Sequence, residues 1–186
     1  MRIVAGKFRG RSLATPTDQA IRPTSDRVRE TVFNILAHGG LPKGLEGLRV
    51  IDLFAGTGAL ALEALSRGAA YALLVEESAE ARGLIRENVE QLGLTGVTRI
   101  FRRDATRLGE AGNLGTFDLA FLDPPYGKGL GEAALASLAD GGWLSPGARL
   151  VLEERAGVEV AVPPPFRITD RREIGDTQVL FLACDG

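Results

Sequence analysis

The residues with the clearest chemistry are Asp123-Pro124-Pro125-Tyr126, which follow directly on the apolar run FDLAFL. Proline fixes φ and biases the residue before it toward extended geometry. The Asp123 carboxylate and the Pro124 carbonyl are therefore held as two rigid acceptors. Two preorganised acceptors facing one point suit a planar amino group, which carries two N–H donors. Tyr126 adds a flat face for stacking a base, an interaction worth ~1–3 kcal/mol in nucleic-acid systems.

Three features upstream occur at comparable places. Asp52-Leu-Phe-Ala-Gly-Thr-Gly58 runs from an apolar strand pattern into a helical one. Its glycines allow a tight turn and close approach of a ligand to the backbone, and the helix start offers free N–H groups. Glu76 ends the next apolar run, LLVE, where a carboxylate can accept from both hydroxyls of a ribose. Asp104, in FRRDAT, either accepts from an exocyclic adenine amino group or caps a short helix after it. The segment GTGALA also fits a dinucleotide-binding pattern. A nicotinamide-dependent oxidoreductase is therefore a rival reading, although such an enzyme has no use for Asp-Pro-Pro-Tyr and needs a second, substrate-binding half. A non-catalytic nucleic-acid-binding module is a further rival.

These residues need a scaffold that brings strand ends together. Strand patterns cover residues 49–54, 71–76, 98–102, 117–122 and 149–153, and helical patterns 59–67, 79–92 and 131–139, with a weaker one at 105–111. Near-continuous apolar strands alternating with helices indicate a parallel sheet covered on both faces. Residues 167–174 and 178–183 flank Gly175-Asp176, a hairpin signature. The expected fold is α/β, a mostly parallel seven-stranded sheet closed by a C-terminal antiparallel hairpin. Ligands of such sheets bind at the carboxyl ends of the strands, where all four motifs fall. Residues 1–15 read as a short β-hairpin turning at Gly6 and Gly10, and Ser25-Asp26 starts a helix that ends at Gly39-Gly40. The division expected is an N-terminal extension over residues 1–23 and a main domain over 24–186.

Composition narrows the classes. The chain has 186 residues, 45% apolar and 25% charged, enough for one ordinary domain. Its apolar runs are too short to span a bilayer, and its first residues lack the apolar region of a secretory signal. A single cysteine, Cys184, permits no internal disulfide and fits a reducing cytoplasm. A single histidine, His38, argues against a His-ligated metal or a Ser/His/Asp triad, so no metal is expected. The net charge of −2 hides an asymmetry. Residues 1–29 hold Arg2, Lys7, Arg9, Arg11, Arg22, Arg27 and Arg29 against Asp18 and Asp26. A basic arm on an acidic body points to a polyanionic partner.

Asp-Leu-Phe-Ala-Gly-Thr-Gly followed by Asp-Pro-Pro-Tyr resembles the S-adenosylmethionine-dependent methyltransferases that modify exocyclic amino groups of bases. RIVAGKFRGRSLATP, RPTSDRVRETVFNIL and REIGDTQVLFL are similar to the bacterial small-subunit (16S) ribosomal RNA guanine-N2 methyltransferase family. The resemblance runs over essentially the whole chain. It implies a Rossmann-like class I methyltransferase fold, S-adenosyl-L-methionine as methyl donor and S-adenosyl-L-homocysteine as product. It further implies that Asp52, Phe54, Gly56, Gly58, Glu76, Asp104 and Ala105 bind the donor, and that Asp123, Pro124 and Tyr126 bind the target guanine. Lys7, Arg9, Arg11, Arg22 and Arg27 then bind 16S ribosomal RNA or the small ribosomal subunit, and nothing in the sequence demands more than a monomer. Adenine-N6 or cytosine-N4 methylation of RNA or DNA is the alternative that the Asp-Pro-Pro-Tyr motif leaves open.

Overall fold

The computed structural model describes residues 1–17 and 25–185. Seven strands form one sheet: β1 (Arg49–Leu53), β2 (Tyr71–Val75), β3 (Thr98–Phe101), β4 (Phe117–Leu122), β5 (Leu144–Arg155), β6 (Phe166–Ile174) and β7 (Thr177–Cys184). The sheet order is β3-β2-β1-β4-β5-β7-β6. The first five strands in that order are parallel. β7 runs antiparallel between β5 and β6. This is the expected Rossmann-like arrangement, and its strand order reverses between β1 and β4. A crevice must open at the carboxyl ends of those two strands, because their connections leave toward opposite sides.

The helices are α1 (Asp26–Ile35), α2 (Ala59–Ser66), α3 (Ala79–Gln91) and α4 (Leu130–Asp140). Ser25 caps α1 by accepting from Val28 N–H, and Asp26 complements the dipole in its first turn. Past Ile35, α1 widens into a π-type turn over Leu36–Gly40, where Gly39 takes a φ of 133°. His38 is exposed in that turn. Ser78 caps α3 in the same way as Ser25 caps α1. Two apolar cores lie on the two faces of the sheet. One gathers Val50, Leu74, Phe121 and Phe181 under α1, α2 and α3. The other gathers Ile51, Leu122, Leu152 and Trp143 under α4.

Two expected elements differ. No helix forms over residues 105–111, although Leu108 and Ala111 are buried. Gly109 takes a φ of 72°, and Leu108 N–H is taken by Ser137 Oγ at 2.7 Å, so the segment turns against α4 instead. β5 begins at Leu144, five residues before the expected start. Leu144 pairs with Phe117 ahead of a register shift, and the added stretch contains Pro146 and Gly147, which read as loop from sequence.

The N-terminal residues turn back on themselves, as expected. Arg2 and Ser12 form an antiparallel bridge, and Ile3 N–H donates to Arg11 O at 3.0 Å. Ile3 and Leu13 enter the same core as α1, α2 and α3. The hairpin lies on α2, whose eight residues are all buried. Glu63 of α2 accepts from Val4 N–H (2.8 Å), Ala5 N–H (3.0 Å), Arg29 Nε (3.2 Å) and Arg67 Nε (2.9 Å). Ser66 donates to Ala5 O and accepts from Phe8 N–H. A Cβ on Gly6 would overlap the Ser66 carbonyl, so only glycine permits this close approach.

Candidate active site

The turn after β1 sets the floor of the site. Asp52 is buried, and its Oδ2 accepts from Ala61 N–H at 3.1 Å, fastening the first turn of α2. Phe54 follows at a φ of 59°, a left-handed conformation that costs a non-glycine residue of order 1–3 kcal/mol. Gly56 and Gly58 share that hand, at 59° and 82°. Gly58 is buried against Leu74 and Ile85 at the start of α2. It shapes the turn from below, whereas Phe54 and Gly56 face outward into the crevice.

Glu76 ties this turn to the next strand. Its Oε1 accepts from Gly56 N–H and its Oε2 from Ser78 N–H, each at 2.9 Å. The carboxylate is thereby fixed at the tip of β2 with lone pairs left for a ligand. Asp104 lies just past β3, where its Oδ1 accepts from Thr106 N–H (2.9 Å) and Thr106 Oγ1 (2.7 Å). Those bonds hold its carboxyl below the usual carboxylate range. With no helix after it, the capping role considered for Asp104 gives way to a side-chain turn. Asp123 and Pro124 stand past the tip of β4, beside β1 in the sheet.

These pieces line one cleft of about 730 Å³, within the usual range for small-molecule sites. Phe54, Gly56, Glu76, Asp104, Ala105, Asp123 and Pro124 all face it. A recess of about 30 Å³ shares Phe54, Gly56 and Asp123 with it and extends toward Thr57 and Leu60. Burial pushes the Asp52 carboxyl well above the usual range, and the neighbouring Asp123 and Glu76 carboxylates add to that rise. Asp52 and Gly58 support the cleft without lining it. Tyr126 is also absent from its walls. Its hydroxyl lies 3.1 Å from Thr177 Oγ1 at the start of β7.

The cleft contains residues that the sequence reading did not select: Glu77, Ser78, Glu80 and Ala81 from the start of α3, and Arg103, Thr106 and Leu130. Asp-x-Thr is the spacing of a side-chain turn and marks Thr106 as the partner of Asp104. Ser78 is recognisable as a helix cap, which places the first turn of α3 beside Glu76. Lys7, Arg9 and Arg11 are exposed on the hairpin, and Arg27 is exposed on α1. None of the four lines the cleft. Arg22 lies outside the described residues.

A second cleft of about 540 Å³ opens between the end of α1 and β6, lined by Asn34, His38, Arg149 and Arg172 among others. It contains none of the four motifs. Among the described residues, no three His, Cys, Asp or Glu side chains gather as a metal site, and no helix is long and apolar enough to cross a membrane.

The donor set fits S-adenosylmethionine. A fixed carboxylate at the tip of β2 suits a ribose diol, and a second past β3 suits an amino group. The glycine turn brings bare backbone to the cleft.

A family profile described as Conserved hypothetical protein 95 matches residues 1–183. Ribosomal RNA small subunit methyltransferase D of Escherichia coli (strain K12) is 38% identical over 164 residues, covering 88% of this chain and 78% of that protein. The protein of the same name from Haemophilus influenzae is 32% identical over 177 residues, covering 94% and 89%. The solved structure named "Putative methyltransferase yhhF from Escherichia coli" aligns with a TM-score of 0.83 at 32% identity, over 100% of this chain and 98% of that one.

Proposed function

The chain belongs to the family described as Conserved hypothetical protein 95, and from that premise we propose that it is a cytoplasmic S-adenosylmethionine-dependent methyltransferase acting on the N2 amino group of a guanine in 16S ribosomal RNA. The observation that carries the reading is the shared cleft. Asp123 and Pro124 line the same cleft as Glu76, Asp104 and the glycine turn. The relatives named ribosomal RNA small subunit methyltransferase D supply the substrate class. The choice of guanine N2 rests on the resemblance of the N-terminal and closing segments.

In this reading Glu76 holds the ribose, Asp104 and Ala105 the adenine, and Phe54 and Gly56 the methionine end, with Asp52 and Gly58 shaping the turn beneath. S-adenosylmethionine supplies an electrophilic methyl group on a sulfonium. The guanine amino nitrogen is a weak nucleophile because its lone pair is spread into the ring. Asp123 and the Pro124 carbonyl accept its two N–H bonds, favour a pyramidal nitrogen and stabilise the positive charge that develops there. Tyr126 lies off the cleft walls and is bonded to Thr177, so its share is to hold the loop that presents Asp123 and Pro124. Alignment of the nitrogen in the cleft contributes the larger share of the rate. The target base must be unpaired or flipped out to enter.

The test is methyl transfer from labelled S-adenosylmethionine to unmodified small ribosomal subunits and to their deproteinised RNA, with the product nucleoside identified. N2-methylguanosine is expected. Methylated adenine or cytosine would overturn the target base. No transfer to either substrate would overturn the reading.

A further inference from the structure

The loop that carries the base-binding residues is tied to the C-terminal hairpin. Tyr126 hydroxyl and Thr177 Oγ1 lie 3.1 Å apart, and Thr177 is only 8% exposed. One residue on, Gly127 N–H donates to Glu154 Oε1 at 3.1 Å, and Glu154 is 4% exposed. The same oxygen accepts from Arg155 N–H at 2.7 Å, which fixes the direction of the Glu154 side chain. Gly127 takes a φ of 74°, so the loop turns sharply where it is held.

The anchor itself is rigid. Glu154 and Arg155 pair with Gln178 and Thr177 across the β5–β7 ladder. Gln178 Nε2 donates to Arg155 O (2.9 Å) and Val158 O (2.6 Å), and Ala156 N–H donates to Asp176 O (2.8 Å). Two prolines stiffen the front of the loop, and two buried side chains of the sheet hold its back. A phenol fixed only at its Cβ can turn about two torsions. The phenol oxygen stands on the axis of the second torsion, so a bond there fixes the first torsion and with it where the ring lies.

We infer that Thr177 is a positioning residue for the proposed methyl transfer, setting where the Tyr126 ring lies and so, beside the Glu154 anchor, the course of the loop behind Asp123 and Pro124. The inference rests on the functional reading above. Thr177 does not line the cleft, so its removal changes turnover without changing affinity for the methyl donor.

Four variants and two readouts test it. Thr177→Val keeps the shape and removes the hydroxyl, and Tyr126→Phe removes the other half of the bond. Each should lower kcat about tenfold, the worth of one ordinary hydrogen bond. Kd for S-adenosylmethionine and KM for RNA should stay within about twofold. The double variant should lose no more than either single one, because both remove the same bond. Thr177→Ser should restore kcat. The second readout is NMR of the ¹³C-labelled tyrosine rings. The chain has two tyrosines, and Tyr71, stacked on Phe117, serves as the internal control. Thr177→Val should shift the Tyr126 resonances alone. An unchanged Tyr126 spectrum would overturn the pin, whatever the protein methylates. A loosened ring with unchanged kcat would overturn its part in turnover, and fully additive losses would do the same. Failure of the wild-type protein to transfer methyl to ribosomal RNA would instead overturn the functional reading, with the spectrum still deciding whether the pin exists.

Discussion

Asp52 and Asp104 are perturbed in opposite directions, and the cause lies in what surrounds each carboxylate. Asp52 is sealed under the turn after β1, and burial raises its pKa well above the ordinary 3.8. Its contribution to stability is complete below 3.8 and is lost as pH rises through the raised folded value. Asp104 gains two bonds from Thr106, which lower its pKa. Its contribution is present above 3.8 and is lost as pH falls through the lowered folded value. Asn at position 52 keeps the shape and an acceptor for Ala61 N–H. Asp52→Asn should therefore gain stability relative to wild type as pH rises from about 3.8 toward neutrality, as urea unfolding at a series of pH values will show. Parallel pH profiles would refute a raised pKa. Asp123 should behave differently. Asp123→Ala should lower kcat by roughly 10²–10³-fold, as loss of a preorganised polar group at a reacting centre does. Calorimetric affinity for S-adenosylmethionine should persist. Loss of donor binding as well would make Asp123 a support for the turn instead of an acceptor for the base.

Among the elements, α2 is unusual in having no exposed face. An outer helix of an α/β sheet normally shows a polar side to water, but ALALEALS is apolar all round except for Glu63 and Ser66. Those two polar groups meet the N-terminal hairpin and Arg29. The sequence thus carries a signal that something covers α2, although not what covers it. Glu63→Ala would strip acceptors from Val4 and Ala5 and leave the buried guanidinium of Arg29 with fewer partners. The expected loss is about 3 kcal/mol, the low end for breaking a buried ion pair, because Arg29 keeps Asp26 at 2.8 Å. The urea midpoint measures the loss, and faster proteolysis within the N-terminal hairpin would show it undocking. A loss below about 1 kcal/mol, no more than an ordinary hydrogen bond, would mean that apolar packing of Ile3 and Leu13 holds the hairpin without Glu63.

Over the whole molecule, charge is divided between the hairpin side and the rest. Lys7, Arg9 and Arg11 are exposed, Arg11 donating to Gln91 O, on a hairpin that is bonded to α2, the helix beginning at the glycine turn. Under the proposed function, this arrangement separates backbone binding of RNA from recognition of the base in the cleft. Replacing the three by Gln should weaken RNA binding and flatten its salt dependence by about 0.7 in log–log slope for each single-strand phosphate no longer neutralised. Affinity for S-adenosylmethionine should not move. An unchanged slope in a filter-binding titration would show that RNA lies elsewhere, the second cleft beside Arg149 and Arg172 being the next surface to test.

The strand–helix order, the closing hairpin at Gly175-Asp176 and the four chemistry-bearing strand ends are legible in the amino-acid sequence alone. Those features depend on local periodicity, turn residues and the geometry of proline and glycine, all written within a few neighbours. The same local signals point to a helix after Asp104, because Leu108 and Ala111 have helical spacing. Ser137, 29 residues on, takes the Leu108 amide instead, and no local pattern contains that bond. Long-range packing settles that Asp52 and Gly58 sit under the cleft, that the hairpin buries α2, and that Tyr126 reaches Thr177 across 51 residues. Each depends on which distant partner satisfies a buried polar group, and that choice is made when the sheet closes.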